Sequence, residues 1–151
     1  MAVKPIPDGY SSLTPYLVCK GAAKAIEFYT KAFGAQETVR MPGPHGQIMH
    51  AEVKIGNSML MLADENPDRG AIAPSGKGRS MSVMLYIDNV DAVFKRALEL
   101  GSTSIQEPTD QFWGDRMGNL MDPFGHQWAI ATHKEDVSPG EMEKRMQAIG
   151  T

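Results

Sequence analysis

A single cysteine, Cys19, is the only thiol in this 151-residue chain. That excludes an internal disulfide and fits a reducing compartment. No apolar run approaches the roughly 20 residues needed to span a bilayer. The opening segment MAVKPIPDGY lacks the apolar core of a secretion signal. A cytoplasmic location without a membrane partner is the expectation. Positive charge is not in surplus either. Fifteen Lys and Arg stand against 18 Asp and Glu, a net charge of −3, so the basic footprint of a nucleic-acid binder is missing. Low-complexity tracts are absent. What remains is 42% hydrophobic and 22% charged, the make-up of an ordinary globular domain. The length suffices for one domain, 1–151, with a sizeable core.

Within that composition the chain reads as one unit written twice. A first module, about 12–64, runs SLTPYLVCKG, AAKAIEFYTKAFG, AQETVRMPG, GQIMHAEVKIG and NSMLMLAD. A second, about 80–134, runs SMSVMLYID, NVDAVFKRALELG, STSIQEPTD, GDRMGNLMD and GHQWAIATHK. Each reads as strand, helix and three strands. The first helix spans about 22–33 with Ala22, Ile26, Tyr29 and Phe33 on one face, and Gly34 suits its C-terminal cap. The second spans about 90–100 with Val93, Ala97 and Leu100 on one side. Residues 1–11 read as an extended arm. The Gly-, Pro- and charge-rich stretch 65–80 reads as a linker long enough to cover a cavity. Ser138, Pro139 and Glu141 open a C-terminal helix over about 139–149. The fold class expected is α+β: two βαβββ modules forming curved half-barrels around a cavity, plus that helix.

The first strand is expected over Leu13–Cys19. The segment HAEVKIGNSMLMLAD reads as a hairpin turning at Gly56-Asn57. Glu52 then pairs with Met61, and alternation puts His50, Glu52, Lys54, Met59, Met61 and Ala63 on one face. A His-x-Glu on one strand face suits an acid/base pair or half of a metal site. The competing structural reading is a solvated edge or a pairing with Lys54.

These strings resemble the vicinal-oxygen-chelate superfamily, which includes glyoxalase I, extradiol dioxygenases and bleomycin-binding proteins. TPYLVCKGAAKAIEFYTKAFGA, GQIMHAEVKIGNSMLMLAD and WGDRMGNLMDPFGHQWAIATHKEDVSP are similar to its PhnB-like, glyoxalase/bleomycin-resistance branch. The resemblance covers nearly the whole chain. It implies four metal-donor positions, His or Gln and Glu in each half. Counting along the motifs, these fall on Thr14, Met61, Ser82 and Ala129. None is a carboxylate or an imidazole, the donors a hard or borderline divalent ion wants. No metal and no cofactor are therefore expected.

Alternation from those positions predicts a cavity lining of Thr14, Tyr16, Met59, Met61, Ser82, Met84 and Tyr86, with Trp113 added from its loop. Methionines adapt to varied ligand shapes and aromatic rings stack on flat or cationic groups. The alternative is that these methionines simply plug the barrel. Arg116, beside Asp115, either binds a carboxylate or phosphate or forms an internal pair. His126 either orders its DPFG turn or stays exposed. His45 and His133 look peripheral, and Cys19 looks buried under the first helix.

Three functions follow from the resemblance. The first is a metal-independent binder of a small, partly apolar molecule, like the bleomycin-resistance proteins. The second is a glyoxalase-type lyase or isomerase with Zn, Ni or Mn at a displaced site built on His50 and Glu52. The third is an interaction protein with a filled cavity. Whether any reaction is catalysed stays open at this point. The resemblance also implies a homodimer.

Overall fold

The computed structural model describes residues 2–150; Met1 and Thr151, the ends of the domain expected over 1–151, lie outside the described residues. The first half comprises β1 (Tyr16–Cys19), α1 (Ala22–Phe33), β2 (Gln36–Pro42), β3 (Ile48–Ile55) and β4 (Ser58–Asp64). The second comprises β5 (Ser82–Tyr86), α2 (Val90–Glu99), β6 (Thr103–Asp110), β7 (Asp115–Met121) and β8 (Gln127–His133), and α3 (Pro139–Ile149) follows. Each half builds an open four-stranded mixed sheet, ordered β1-β4-β3-β2 and β5-β8-β7-β6. The first and last strands of each half pair in parallel, and the other neighbours are antiparallel. The fold is therefore the expected pair of βαβββ modules with a C-terminal helix.

The chain divides into two compact units. One holds residues 2–78 together with Pro123–His126; the other holds residues 79–122 and 127–150. In the first, α1 lays Ala22, Ala25, Ile26, Tyr29 and Phe33 on the sheet. Leu17, Val53, Leu60 and Leu62 meet them from the strands, all at 3% exposure or less. Cys19 is buried in this layer. Phe124, from the turn that joins this unit, packs against Phe28 and Tyr29 with ring centroids 6.2 and 6.3 Å apart. His126 Nε2 lies 2.9 Å from the Val18 carbonyl oxygen, so its ring ties that turn to β1.

The second unit repeats this arrangement. Its buried helical stripe is Val90, Phe94 and Ala97, each 68 residues after Ala22, Ile26 and Tyr29. This corrects the stripe expected from sequence, because Val93 and Leu100 are only partly buried flanks. Phe94, the bulkiest apolar residue of the helix, sets the rotation. Its ring lies over Gly118, where a Cβ would stand 2.9 Å from the ring edge.

The two helices start in matching ways. Gly21 precedes α1 and has no side chain to cap it, so Asp64 at the end of β4 does so instead. Asp64 Oδ1 accepts from the Gly21 and Ala22 amides, each at 2.9 Å, and Oδ2 accepts from Ile48 N at 2.7 Å. An anion there satisfies orphan donors and suits the helix dipole. Thr132, 68 residues later on β8, accepts from Val90 N at 2.9 Å, and the cap residue Asn89 adds its own bond from Ala92 N at 3.1 Å.

β1 begins at Tyr16, three residues later than expected. Pro15 has no N–H to give a ladder, and Leu13 points outward at 90% exposure. The hairpin register is as read: Glu52 pairs with Met61, Lys54 with Met59 and Ile55 with Ser58. Gly56 takes a φ of 57°, which suits a glycine in the first central position of a two-residue turn.

Candidate functional site

In the first sheet α1 covers one face, carrying Leu17, Ala51, Val53, Leu60 and Leu62. Alternation sends Tyr16, His50, Glu52, Lys54, Met59 and Met61 to the other. Met61 is the Cα partner of Tyr16 on one side and of Glu52 on the other, so the three stand in a row across β1, β4 and β3. Polar side chains link up along this row. Tyr16 Oη lies 2.8 Å from His50 Nδ1, and His50 Nε2 lies 3.0 Å from Glu52 Oε1. Tyr10, from the N-terminal arm, donates to Glu52 Oε2. Partial burial raises the Tyr16 phenol above its ordinary value. Thr14 stands just before β1, partly buried.

In the second sheet the open face carries Ser82, Met84 and Tyr86 on β5, with Asp115, Met117 and Asn119 on β7. Asn119 pairs with Ala129 as Glu52 pairs with Met61, and Met117 stands where the first module has His50. The acid–base pair is therefore not duplicated. A different cluster forms at the other end of β7. Asp115 is 3% exposed, yet it carries three donors. Tyr86 Oη donates to its Oδ2 at 2.9 Å and Trp113 Nε1 to the same oxygen at 3.0 Å; His133 Nδ1 meets Oδ1 at 2.7 Å. His133 Nε2 in turn meets Asp136 at 2.8 Å.

Burial pushes the Asp115 carboxyl up. The bonds from His133, Tyr86 and Trp113, with the His133 charge, outweigh it and leave the group below its ordinary value. His133 is raised, first by its bond to Asp136 and then by Asp115. Tyr86 is raised mainly by its bond to Asp115. His133 is thus a fixed part of a network and not the peripheral residue expected.

Arg116 and Asp115 do not pair with each other. Adjacent strand residues face opposite ways, and Arg116 points to the helix side. There its guanidinium meets Asp91 at 2.8 and 2.9 Å and Asp110 at 3.3 Å. Asp91 first and Asp110 second raise its affinity for its proton. An incoming anion would have to displace both carboxylates.

Two parts of these clusters had no sequence signal. Tyr10 lies 42 residues from Glu52 in a segment that reads only as an arm. Asp136 follows the last strand in a charged run typical of a surface. The His133–Asp115 pair was within reach of a register argument, since the two are Cα partners.

Residues 12–130 match the family model of the Glyoxalase/Bleomycin resistance protein/Dioxygenase superfamily. The chain belongs to this superfamily. It is 39% identical over 143 residues, covering 92% of this chain and 94% of the other, to an uncharacterized protein, Mb0911c, of Mycobacterium bovis. Among solved structures, TioX from Micromonospora sp. ML1 superposes with a TM-score of 0.65 at 24% identity, covering 82% of this chain and 98% of TioX. The PhnB protein from Bacillus cereus gives a TM-score of 0.64 at 17% identity, covering 81% and 99%. Both share the fold.

The divalent ion that the superfamily implies can be tested against donor chemistry. The positions that the family resemblance assigns to its donors are Thr14 and Met61 in the first unit and Ser82 and Ala129 in the second. A thioether, a methyl group and two hydroxyls do not fit such an ion. Among the described residues no three His, Cys, Asp or Glu side chains converge as a ligand set. Where acids and imidazoles do meet, the ring stands between its partners and both of its nitrogens are engaged.

Proposed function

We propose that the chain binds a small, partly apolar molecule on the open face of β1, β4 and β3, without a divalent ion at the superfamily's donor positions. The observation that supports this reading is the row Tyr16, Met61 and Glu52, which sets a thioether between a phenol and a carboxylate at the position where the family resemblance expects a donor. Met59, Met61 and the Tyr16 ring supply adaptable apolar contact, and Thr14, His50 and Glu52 supply a few polar atoms. Ser82, Met84, Tyr86 and Trp113 offer a similar mixture on the second unit. His50 and Glu52 are poor candidates for a displaced metal site. An ion there would have to break their bonds to each other and to Tyr10 and Tyr16.

We further propose a cytoplasmic homodimer, because open sheet edges favour cover from a second chain. Neither membrane nor nucleic acid is a proposed partner; among the described residues no helix is long and apolar enough to cross a membrane.

Elemental analysis before and after dialysis against Zn²⁺, Ni²⁺ and Mn²⁺ tests the proposal that no divalent ion is held. The expected result is no stoichiometric ion in the wild type. One tightly held ion per chain, lost in Glu52→Ala, would overturn it in favour of the lyase alternative. A thermal-shift screen of flat, apolar or cationic molecules tests the binding of a small molecule. A ligand at a hundred times its Kd adds about 2.7 kcal/mol of stability.

A further inference from the structure

Tyr16, His50 and Glu52 on the first sheet, with Tyr10 from the N-terminal arm, are joined in series. A carboxylate oxygen only accepts, so the proton of a neutral His50 ring belongs on Nε2, facing Glu52 Oε1 at 3.0 Å. Nδ1 is then an acceptor, and the Tyr16 hydroxyl 2.8 Å away donates to it. Tyr10 holds the second oxygen of Glu52 and fixes the carboxylate. Tyr16 is 48% exposed, and a hydroxyl that donates to His50 keeps lone pairs with which to accept from a ligand. Hydroxyl, imidazole and carboxylate in series form the arrangement by which a hydroxyl hands its proton to a base held in one tautomer.

Resting on the binding function proposed above, we propose that this face takes a flat, apolar molecule bearing a phenol-type hydroxyl and removes its proton through Tyr16 to His50. The ligand O–H bond breaks as a new O–H bond forms on Tyr16, and the original Tyr16 proton moves to His50 Nδ1. The imidazolium so formed keeps its Nε2 proton against Glu52. The ligand oxyanion accepts the hydrogen bond from Tyr16, and the net charge of the site is unchanged.

Two features select a phenol. Its hydroxyl, ordinarily ionising at about 10, is a far stronger acid than an aliphatic alcohol. Its ring suits the thioethers around the relay: Met61 is the partner of Tyr16 and of Glu52, Met59 of Lys54, and Met41 of His50. Tyr16 and His50 are the proton-carrying groups; Glu52 and Tyr10 are positioning residues.

The probe is 4-nitrophenol, whose phenolate is yellow and whose phenol is not. Binding is followed by equilibrium dialysis, and ionisation by the absorbance of the bound probe at about pH 6 compared with that of free probe in the same buffer, which is mostly the colourless phenol there. The expected result is a bound fraction that is yellow in the wild type. In Tyr16→Phe the affinity falls about tenfold, as for loss of one hydrogen bond to a charged group, and the yellow shift disappears. Colourless binding that is equal in both proteins would overturn the relay while leaving the binding function standing. No binding to either protein would overturn both.

Nitrogen-15 NMR of the ligand-free protein gives a check that needs no ligand. His50 should carry its proton on Nε2, and Glu52→Gln, whose amide also donates, should mix the two tautomers. A proton on Nδ1 in the wild type would overturn the relay whatever binds.

Discussion

Replacing Asp115 with Asn probes the second cluster at its most buried point. The carboxylate is 3% exposed and receives Tyr86 and Trp113 on one oxygen and His133 on the other. In Asp115→Asn the carbonyl oxygen can keep the tyrosine and the indole. The amide nitrogen then faces His133 Nδ1, and a protonated ring there would bring donor against donor. One charge-assisted bond to a buried group is lost, which costs about 2 kcal/mol. For a chain of this size that lowers Tm by about 4–8 °C.

Two linked effects give the pH signature. His133 is raised above 6.5 in the folded chain, so its contribution is complete below that pH and fades as pH rises through the folded value. Asp115 is lowered below 3.8, so its contribution is present above that pH and fades as pH falls through the folded value. The pair therefore stabilises most between these limits. Calorimetry across pH should show the wild-type advantage over Asp115→Asn in that window, shrinking on either side. NMR should show His133 titrating lower in the variant than in the wild type. A Tm change under about 1 °C within the window, against the expectation above, or an unmoved His133, would refute the reasoning.

Three further outcomes are expected. Gly114 has a φ of 103°, and a Cβ there would stand 2.1 Å from the Glu135 carbonyl oxygen, so Gly114→Ala should cost about 3 kcal/mol or more and alter the near-ultraviolet signal of Trp113. Gly118→Ala drives a methyl group against the Phe94 ring and the Gln106 carbonyl, at 2.9 and 3.0 Å, and chemical denaturation should register about 1–3 kcal/mol of overpacking. Asp64→Ala strips the acceptor from three backbone amides, and a loss of about 2 kcal/mol is expected together with faster hydrogen exchange at Ala22 and Ile48.

Local pattern was enough to read α1, the β3–β4 register and the C-terminal helix. Period and turn chemistry are written in neighbouring residues: Ala22 to Phe33 at helical spacing, Gly56-Asn57 between alternating strands, and Ser138 accepting from the Glu141 amide at 3.2 Å. The duplication was legible for the same reason, since one pattern recurs about 68 residues on. The start of β1 is not legible in the pattern, because apolar Leu13 looks like strand while Pro15 decides where the ladder can begin. The rotation of α2 is not legible in the pattern, because both Val93 and Phe94 fit a helical stripe. Only the sheet beneath, with Gly118 making room, selects Phe94.

The sequence by itself determined the element order, the repeat, the superfamily and the face that carries His50 and Glu52. These follow from short-range stereochemistry, which binds each residue to neighbours a few positions away. Tertiary structure alone decided the partners of the polar side chains. Tyr10 reaches Glu52 across 42 residues, Arg116 turns to Asp91, and Asp115 gathers Tyr86, Trp113 and His133. Such bonds depend on where distant backbones come to rest. A buried acceptor takes whichever donors the packing delivers, and leaving one unmet would cost more than any local preference.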